Sequence, residues 1–125
     1  MSIRCYQEPI GWQKGIDLVT EVYRFTQRFP KDERYGLTSQ MRRAAVSIPS
    51  NIAEGQGRLS HGEFKQFLGH AGGSVFELES QVLIARNLQY LGPEDAAFLL
   101  ERIGELGRVL NALLKSLDRD VVANH

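Results

Sequence analysis

The sequence predicts an all-α protein that folds as an antiparallel, up-down-up-down four-helix bundle. Four segments carry apolar residues at three- and four-residue steps, which is the spacing of one helix face. Short polar connections separate these segments, and none of them alternates apolar and polar residues as a half-buried strand does. The bundle is predicted to span residues 12–117, between an N-terminal arm (residues 1–11) and a flexible C-terminal tail (residues 118–125).

The first helix is predicted to run from about Trp12 to Gln27. Its apolar face is predicted to contain Trp12, Ile16, Val19, Val22 or Tyr23, and Thr26. We expect Trp12 to anchor the core. Phe29 ends this helical region because the residue before a proline, here Pro30, is pushed out of the helical conformation. The polar connection KDERYG follows.

The second helix is predicted within the segment GLTSQMRRAAVSIPSNIAEGQGR, residues 36–58. One face holds Leu37, Met41, Ala45, Ile48 and Ile52, and another holds Gln40, Ser47, Asn51, Glu54 and Arg58. Thr38 or Ser39 is expected to cap its start. Pro49 lacks a backbone donor and crowds the preceding turn, which predicts a kink. Because the apolar positions keep their register across Pro49, the helix is predicted to continue through it.

The third helix begins with a capping box, in which Ser60 and Glu63 satisfy each other's backbone amides. Its apolar stripe starts at Phe64 and is predicted to persist to about Tyr90. Three glycines inside it, at positions 69, 72 and 73, each disfavour a helix by ~1 kcal/mol relative to alanine. We therefore expect another helix to approach closely there.

The fourth helix is predicted to begin after Gly92, with Pro93 in its first turn and Glu94 and Asp95 near the positive end of the helix dipole. Leu99, Ile103, Leu106, Leu110, Leu113 and Leu117 follow at coiled-coil spacing. Apolar residues off this seam, such as Phe98, predict a surface that contacts another subunit.

Composition predicts a soluble, cytoplasmic domain. No run reaches the ~18 apolar residues of a membrane span, and a single cysteine, Cys5, has no partner for an intrachain disulfide. The net charge is zero, but the charge is unevenly distributed. Residues 24–58 contain seven basic and three acidic residues, whereas residues 67–125 contain five basic and eight acidic ones. A polyanion should prefer the first half of the chain.

Catalytic patterns are not found in the sequence, which predicts a non-enzymatic protein without a cofactor. The three histidines, His61, His70 and His125, are scattered and do not accompany a nucleophile and an orienting acid. The glycines at positions 55 and 57 follow a helix rather than a strand, so they do not form a phosphate-binding loop.

Polar residues on the second and third helices allow two interpretations. The residues concerned are Ser47, Asn51, Glu54, Ser74, Glu77 and Gln81. The first interpretation is a buried hydrogen-bond network around the proline, because an unpaired buried polar group costs ~1–3 kcal/mol. The second is a metal site formed by Glu54, Glu77 and His70. Di-iron bundles supply Glu-x-x-His from two helices, and no such pair occurs here, so the sequence favours the network and predicts no metal.

Two long motifs, YGLTSQMRRAAVSIPSNIAEGQGR and SHGEFKQFLGHAGGSVFELESQV, resemble the family of four-helix-bundle proteins encoded within intervening sequences of bacterial 23S ribosomal RNA genes, also called S23 ribosomal proteins. The resemblance covers about residues 12–115. The family is similar in turn to the accessory proteins of diversity-generating retroelements, which are homopentameric bundles that bind nucleic acid. The resemblance therefore implies a homopentamer and a nucleic-acid ligand, ribosomal RNA or other structured RNA or DNA.

The residues predicted to bind nucleic acid are Arg42, Arg43, Arg58 and Lys65, which could form a basic surface repeated around a pentamer. Alternatively, these side chains form ion pairs, for example between Arg43 and a carboxylate of a neighbouring subunit. Two functional hypotheses follow: an oligomeric module that binds structured RNA or DNA, and a protein-interaction scaffold that does not bind nucleic acid.

Overall fold

A computed structural model describes residues 10–123, which form four α-helices and one short 3-10 turn, with no β-strand among them. The helices are α1 (Ile10–Thr26), α2 (Leu37–Gln56), α3 (His61–Asn87) and α4 (Pro93–Ala123), and the 3-10 turn (Lys31–Glu33) lies between α1 and α2. This confirms the predicted all-α class and its four helices.

The inward face of α1 differs from the prediction by about one residue. Its buried positions are Gly11, Gly15, Leu18, Val22 and Thr26, whereas Ile16 is 41% exposed and Trp12 packs against the edge of the core. The two glycines explain the shift. A Cβ atom on Gly15 would lie 3.2 Å from Pro49 Cβ, so the absence of a side chain lets α1 approach α2 closely. The helix also begins at Ile10, two residues earlier than predicted, and the rest of the predicted arm lies outside the described residues.

Helix α2 continues through Pro49, which is buried, as the apolar register predicts. Asn51 Nδ2 donates to the Ser47 carbonyl at 2.7 Å, one turn earlier, beside the proline. The start of α2 differs from the prediction, because neither Thr38 nor Ser39 caps it. Gly36 is the N-cap residue, and the carboxylate of Glu33 accepts the Leu37 amide at 3.0 Å.

Helix α3 starts as predicted and ends earlier. Ser60 is the N-cap, and its hydroxyl accepts the Glu63 amide at 3.1 Å. The helix ends at Asn87 rather than near Tyr90. Gln89 adopts a left-handed conformation, with φ of 65°, and the Tyr90 amide donates to the Ala85 carbonyl, which is the pattern of a Schellman cap. The predicted close approach to the α3 glycines is wrong within the subunit, because an added Cβ at positions 69, 72 or 73 would meet no atom within 4 Å.

Helix α4 begins at Pro93, as predicted, and carries the two acidic residues in its first turn. Its predicted seam is buried, apart from Leu113, which is half-buried. The helix continues to Ala123, six residues beyond the predicted end of the bundle at residue 117. Asp118 forms an ion pair with Lys65 of α3 just beyond Leu117, which is itself buried.

The four helices surround a single core. Helix α1 packs against α2 and α4, and α3 packs against the same two helices. Phe98, expected to contact another subunit, is half-buried and its ring lies 6.0 Å from that of Phe25 on α1. Within residues 10–123, no helix has the length and apolar character that crossing a bilayer requires.

Candidate functional site

An open cleft lies where the end of α1, the connection that follows and the start of α2 meet. It has a volume of about 630 Å³, and an adjoining depression extends it along the connection. We call the two together the basic cleft; its charged and aromatic lining residues are Tyr23, Phe29, Lys31, Arg34, Tyr35, Arg42 and Arg43. Four cations and three aromatic rings thus share one surface.

Arg42 is held in a defined position within the basic cleft. Its Nε donates to Thr26 Oγ1 at 2.9 Å, and Thr26 in turn donates to the Val22 carbonyl at 2.7 Å. The guanidinium carbon of Arg42 lies 4.4 Å from the centre of the Tyr23 ring, within the range of a cation–π interaction. These contacts restrict the rotamers of Arg42 and leave its positive charge unneutralised by any carboxylate among the described residues.

The other arginines of the basic cleft are more exposed. Arg43 follows Arg42 on α2, about 100° around the helix axis, and its side chain is exposed. Arg34 lies in the connection, with its guanidinium carbon 5.6 Å from the centre of the Tyr35 ring. Tyr35 itself is 87% exposed. Each tyrosine of the cleft therefore has an arginine beside its ring.

No Asp or Glu lines the basic cleft in the described part of the chain. Glu33 lies in the same connection, but its carboxylate is engaged elsewhere: it accepts the Leu37 amide at 3.0 Å and the Tyr90 hydroxyl at 2.9 Å. These two hydrogen bonds, that from Leu37 first, hold the pKa of Glu33 below its ordinary value of 4.5. Glu33 thus braces the connection without neutralising the cleft.

Arg58 and Lys65, predicted to extend the basic surface, lie elsewhere. Arg58 follows Arg42 by sixteen residues on and just beyond α2, roughly 24 Å along the helix axis. It pairs with Glu54 at 2.9 Å and lies over the Phe67 ring. Lys65 pairs with Asp118. Within one subunit the structure brings together only Arg42 and Arg43 of the four predicted residues.

The six polar residues predicted to form a network make three separate sets of contacts. Ser47 and Ser74 share a hydrogen bond between α2 and α3, and Asn51 binds the Ser47 carbonyl. Glu54 is exposed and pairs with Arg58. The third contact joins Gln81 Nε2 to Glu77 within α3, at 3.4 Å. Gln81 is 5% exposed, and its carbonyl oxygen has no hydrogen-bond partner among the described residues.

Two other kinds of site, a metal site and a second cleft, lack the side chains that binding would require in the part of the chain that the structure describes. In the described range, no three His, Cys, Asp or Glu side chains lie close enough together to bind a metal ion. A second cleft, between α1 and α4, is lined by three basic and three acidic side chains, and Lys14 and Glu105 pair across it at 3.1 Å. Its charges cancel, so it does not attract a polyanion.

Tyr23, Arg34 and Tyr35 belong to the basic cleft but were not predicted as site residues. The sequence offers Tyr23 only as an alternative to Val22 on the apolar face of the first helix, and it places Arg34 and Tyr35 in a polar connection. The available signal was the alternation of basic and aromatic residues near the most basic stretch, as in the ERYG segment.

Comparisons with known proteins relate the chain to one protein family. The sequence profile described as "23S rRNA-intervening sequence protein" matches residues 7–112. Among solved structures, the chain is similar to a protein of unknown function from the S23 ribosomal protein family of Bacteroides thetaiotaomicron VPI-5482. The TM-score is 0.76 at 19% sequence identity, over 84% of this chain and 98% of the other. No curated protein sequence matches the chain.

Proposed function

The chain belongs to the 23S rRNA-intervening sequence protein family, and from this premise we propose that it is a non-enzymatic, oligomeric, cytoplasmic bundle protein that binds RNA or DNA. The proposed binding site is the basic cleft. The observation that carries the proposal is that four cations share a surface without a carboxylate, although the whole chain has zero net charge. Family membership supports the fold, and the residues of the basic cleft support the proposed ligand.

The chemistry of the basic cleft suits a phosphate backbone. Guanidinium groups bind phosphate oxygens through paired N–H donors, and a group already fixed in place loses less entropy on binding. Arg42 meets this condition through Thr26 and Tyr23. Arg43 and Arg34 add charge on either side. We assign Arg58 and Lys65 a smaller role, because Glu54 and Asp118 already neutralise them.

Assembly into a homopentamer of antiparallel bundles is part of the proposal. Contacts support the antiparallel order: Thr26, at the end of α1, meets Arg42 near the start of α2, and Gly55, at the end of α2, faces Phe64 near the start of α3. In a ring of subunits the cleft would be repeated, and its weak phosphate contacts would together strengthen binding. The pentamer itself is inferred from the family resemblance of the sequence.

A protein-interaction scaffold is the second candidate function. An apolar groove between α1 and α2 favours it, since such a surface suits contact with a protein partner or with a neighbouring subunit. The groove is lined by Trp12, Ile16, Val19, Val46, Pro49, Ser50 and Ala53. We call it the apolar groove; Val46 lines both it and the basic cleft. If this surface binds protein, the arginines beside it would contact the protein partner or a neighbouring subunit.

Charge reversal distinguishes the two functions. We expect the full-length protein to bind a structured ribosomal RNA fragment at about 0.05 M salt and more weakly at about 0.2 M, with a slope set by the number of phosphates neutralised. The double variant Arg42→Glu/Arg43→Glu should abolish this binding and leave the oligomer intact. Arg108→Glu/Lys115→Glu is the matched control, because it changes the net charge equally on exposed positions of α4.

Fluorescence anisotropy and light scattering on the same samples give the readout. Loss of binding by the cleft variant alone, at unchanged mass, would support the nucleic-acid function. Dissociation of the oligomer by the cleft variant would support the scaffold. Absence of RNA binding by the intact wild-type oligomer at low salt would exclude the nucleic-acid function for RNA of this kind.

A further inference from the structure

Tyr35 is the most unusual residue of the basic cleft. It is 87% exposed, although its phenol ring is one of the largest apolar groups in the chain. Its ring contact among the described residues is with the guanidinium of Arg34, its sequence neighbour. A ring in this position contributes little to the core, which contains Phe29 of the same connection instead.

The backbone that carries Tyr35 is braced on both sides. The Arg34 amide donates to the Lys31 carbonyl and the Gly36 amide to the Glu33 carbonyl, which closes the 3-10 turn before the helix. Glu33 then ties the connection to the start of α2 and to Tyr90 at the α3–α4 turn. Below it, the rings of Phe29 and Tyr90 pack 5.4 Å apart. The structure therefore presents Tyr35 to solvent from a fixed support.

The surroundings of Tyr35 identify what could cover it. Arg34 and Arg42 line both parts of the basic cleft together with Tyr35, so any group on the ring lies among cations. Aromatic rings and arginine planes stack on nucleobases, and such stacking is available only when the bases are unpaired. In a duplex the bases stack on each other, and a protein reaches mainly phosphates and groove edges.

We infer that the basic cleft binds unpaired nucleotides, with Tyr35 as the stacking platform for a base and Arg42 and Arg43 as the contacts to the adjoining phosphates. This inference rests on the proposed function and narrows it from nucleic acid in general to single-stranded segments, loops or ends. It assigns a role to a residue that phosphate binding alone leaves unexplained.

Three labelled probes separate stacking from charge: a single-stranded oligouridine of about 12 nucleotides, the same backbone without bases, and a duplex RNA of equal length. We expect wild-type protein to bind the oligouridine roughly ten- to a hundredfold more tightly than the base-free probe. Tyr35→Ala should remove this preference and bring oligouridine binding down to the level of the base-free probe. Tyr35→Phe, which keeps the ring, should retain it.

Arg42→Ala/Arg43→Ala is the second variant and should lower the affinity for all three probes by a similar factor. Equal wild-type affinity for oligouridine, duplex and base-free backbone would overturn the inference and leave phosphate binding in place. So would a Tyr35→Ala variant that keeps the preference for bases. Failure of the wild-type protein to bind any probe would overturn the proposed function itself, and with it the inference.

Discussion

Glu33 connects three parts of the molecule through one carboxylate. The carboxylate accepts hydrogen bonds from the Leu37 amide, the first of α2, and from the Tyr90 hydroxyl, which follows α3. Glu33 also directly precedes the Arg34–Tyr35 pair of the basic cleft. Gly36 makes this possible, since a Cβ there would lie 2.6 Å from Glu33 Oε1. Both hydrogen bonds favour the ionised carboxylate, so Glu33 links the stability of the fold to pH.

We expect Glu33 to contribute stability that is lost in acid. Its pKa in the folded protein is below 4.5, so its contribution is fully present above the unfolded value and disappears as the pH falls through the folded value. The Tyr90 hydroxyl has the opposite dependence: Glu33 raises its pKa above 10.0, so that contribution is lost in alkali. Replacement Glu33→Gln should flatten the acid limb of the stability profile.

Urea denaturation followed by circular dichroism between about pH 3 and 7 measures this effect at fixed protein concentration. Tyr90→Phe is the partial control, because it removes one of the two hydrogen bonds and should flatten the acid limb less. Parallel profiles for wild type and Glu33→Gln would show that Glu33 titrates alike in the folded and unfolded chains.

Among single residues, the sequence predicted charges better than their partners. Arg42 and Arg43 were identified as basic residues of one surface, but Tyr23, which supports Arg42, lies nineteen residues earlier on another helix. That contact depends on how α1 is rotated against α2. The rotation follows the glycines at positions 11 and 15, whereas larger apolar residues had indicated a different face.

At the scale of helices, most local signals were reliable, with the expected cap at Thr38 or Ser39 as an exception, and predicted contacts between helices were not. The Ser60 cap, the Pro93 start and the seam of α4 follow from neighbouring residues, and all three are confirmed. The end of α3 was missed because glutamine at a left-handed position is uncommon, and the following Gly92-Pro93 gave a stronger signal. The kink at Pro49 stays a prediction.

Glycine is required by close packing in α2 but not in α3, so replacing it with alanine should have opposite effects on stability in the two helices. An added Cβ at Gly55 would lie 2.8 Å from the Phe64 ring and 3.0 Å from Phe67 Cβ, whereas one at Gly69 would meet no atom within 4 Å. Gly55→Ala should therefore lower the free energy of unfolding by roughly 1 to 2 kcal/mol through overpacking. Gly69→Ala should raise it by about 1 kcal/mol, because alanine favours the helix.

Each variant is the matched control for the other, since both exchange glycine for alanine within a helix of the same bundle. Chemical denaturation at one protein concentration measures both free energies. A stabilising Gly55→Ala would mean that Phe64 moves aside at little cost, and a destabilising Gly69→Ala would indicate that another subunit covers this part of α3.

At the scale of the whole molecule, the distribution of charge along the sequence predicted a basic surface, whereas the net charge of zero did not. The chain is neutral, yet the excess of basic residues in the first half appears in the structure as the basic cleft. The partner of Arg58, Glu54, lies four residues earlier on the same predicted helix face, so this pair could be predicted from the sequence. The partner of Lys65, Asp118, lies on another helix and depends on packing, so it could not. Beside the cleft, Ile16 and Val46 remain about 40% exposed in the apolar groove.

The apolar groove is where we expect subunits to meet. Ile16→Glu/Val46→Glu would place two charges in a surface that oligomer formation removes from water, and burying an unpaired charge is strongly unfavourable. Multi-angle light scattering should show the wild-type protein as an oligomer and this variant at the mass of one subunit, with helical circular dichroism retained. Leu59→Glu is the control, because Leu59 is fully exposed outside the groove. An oligomer that survives both changes would place the subunit interface on another face, such as the one that exposes Phe76 on α3.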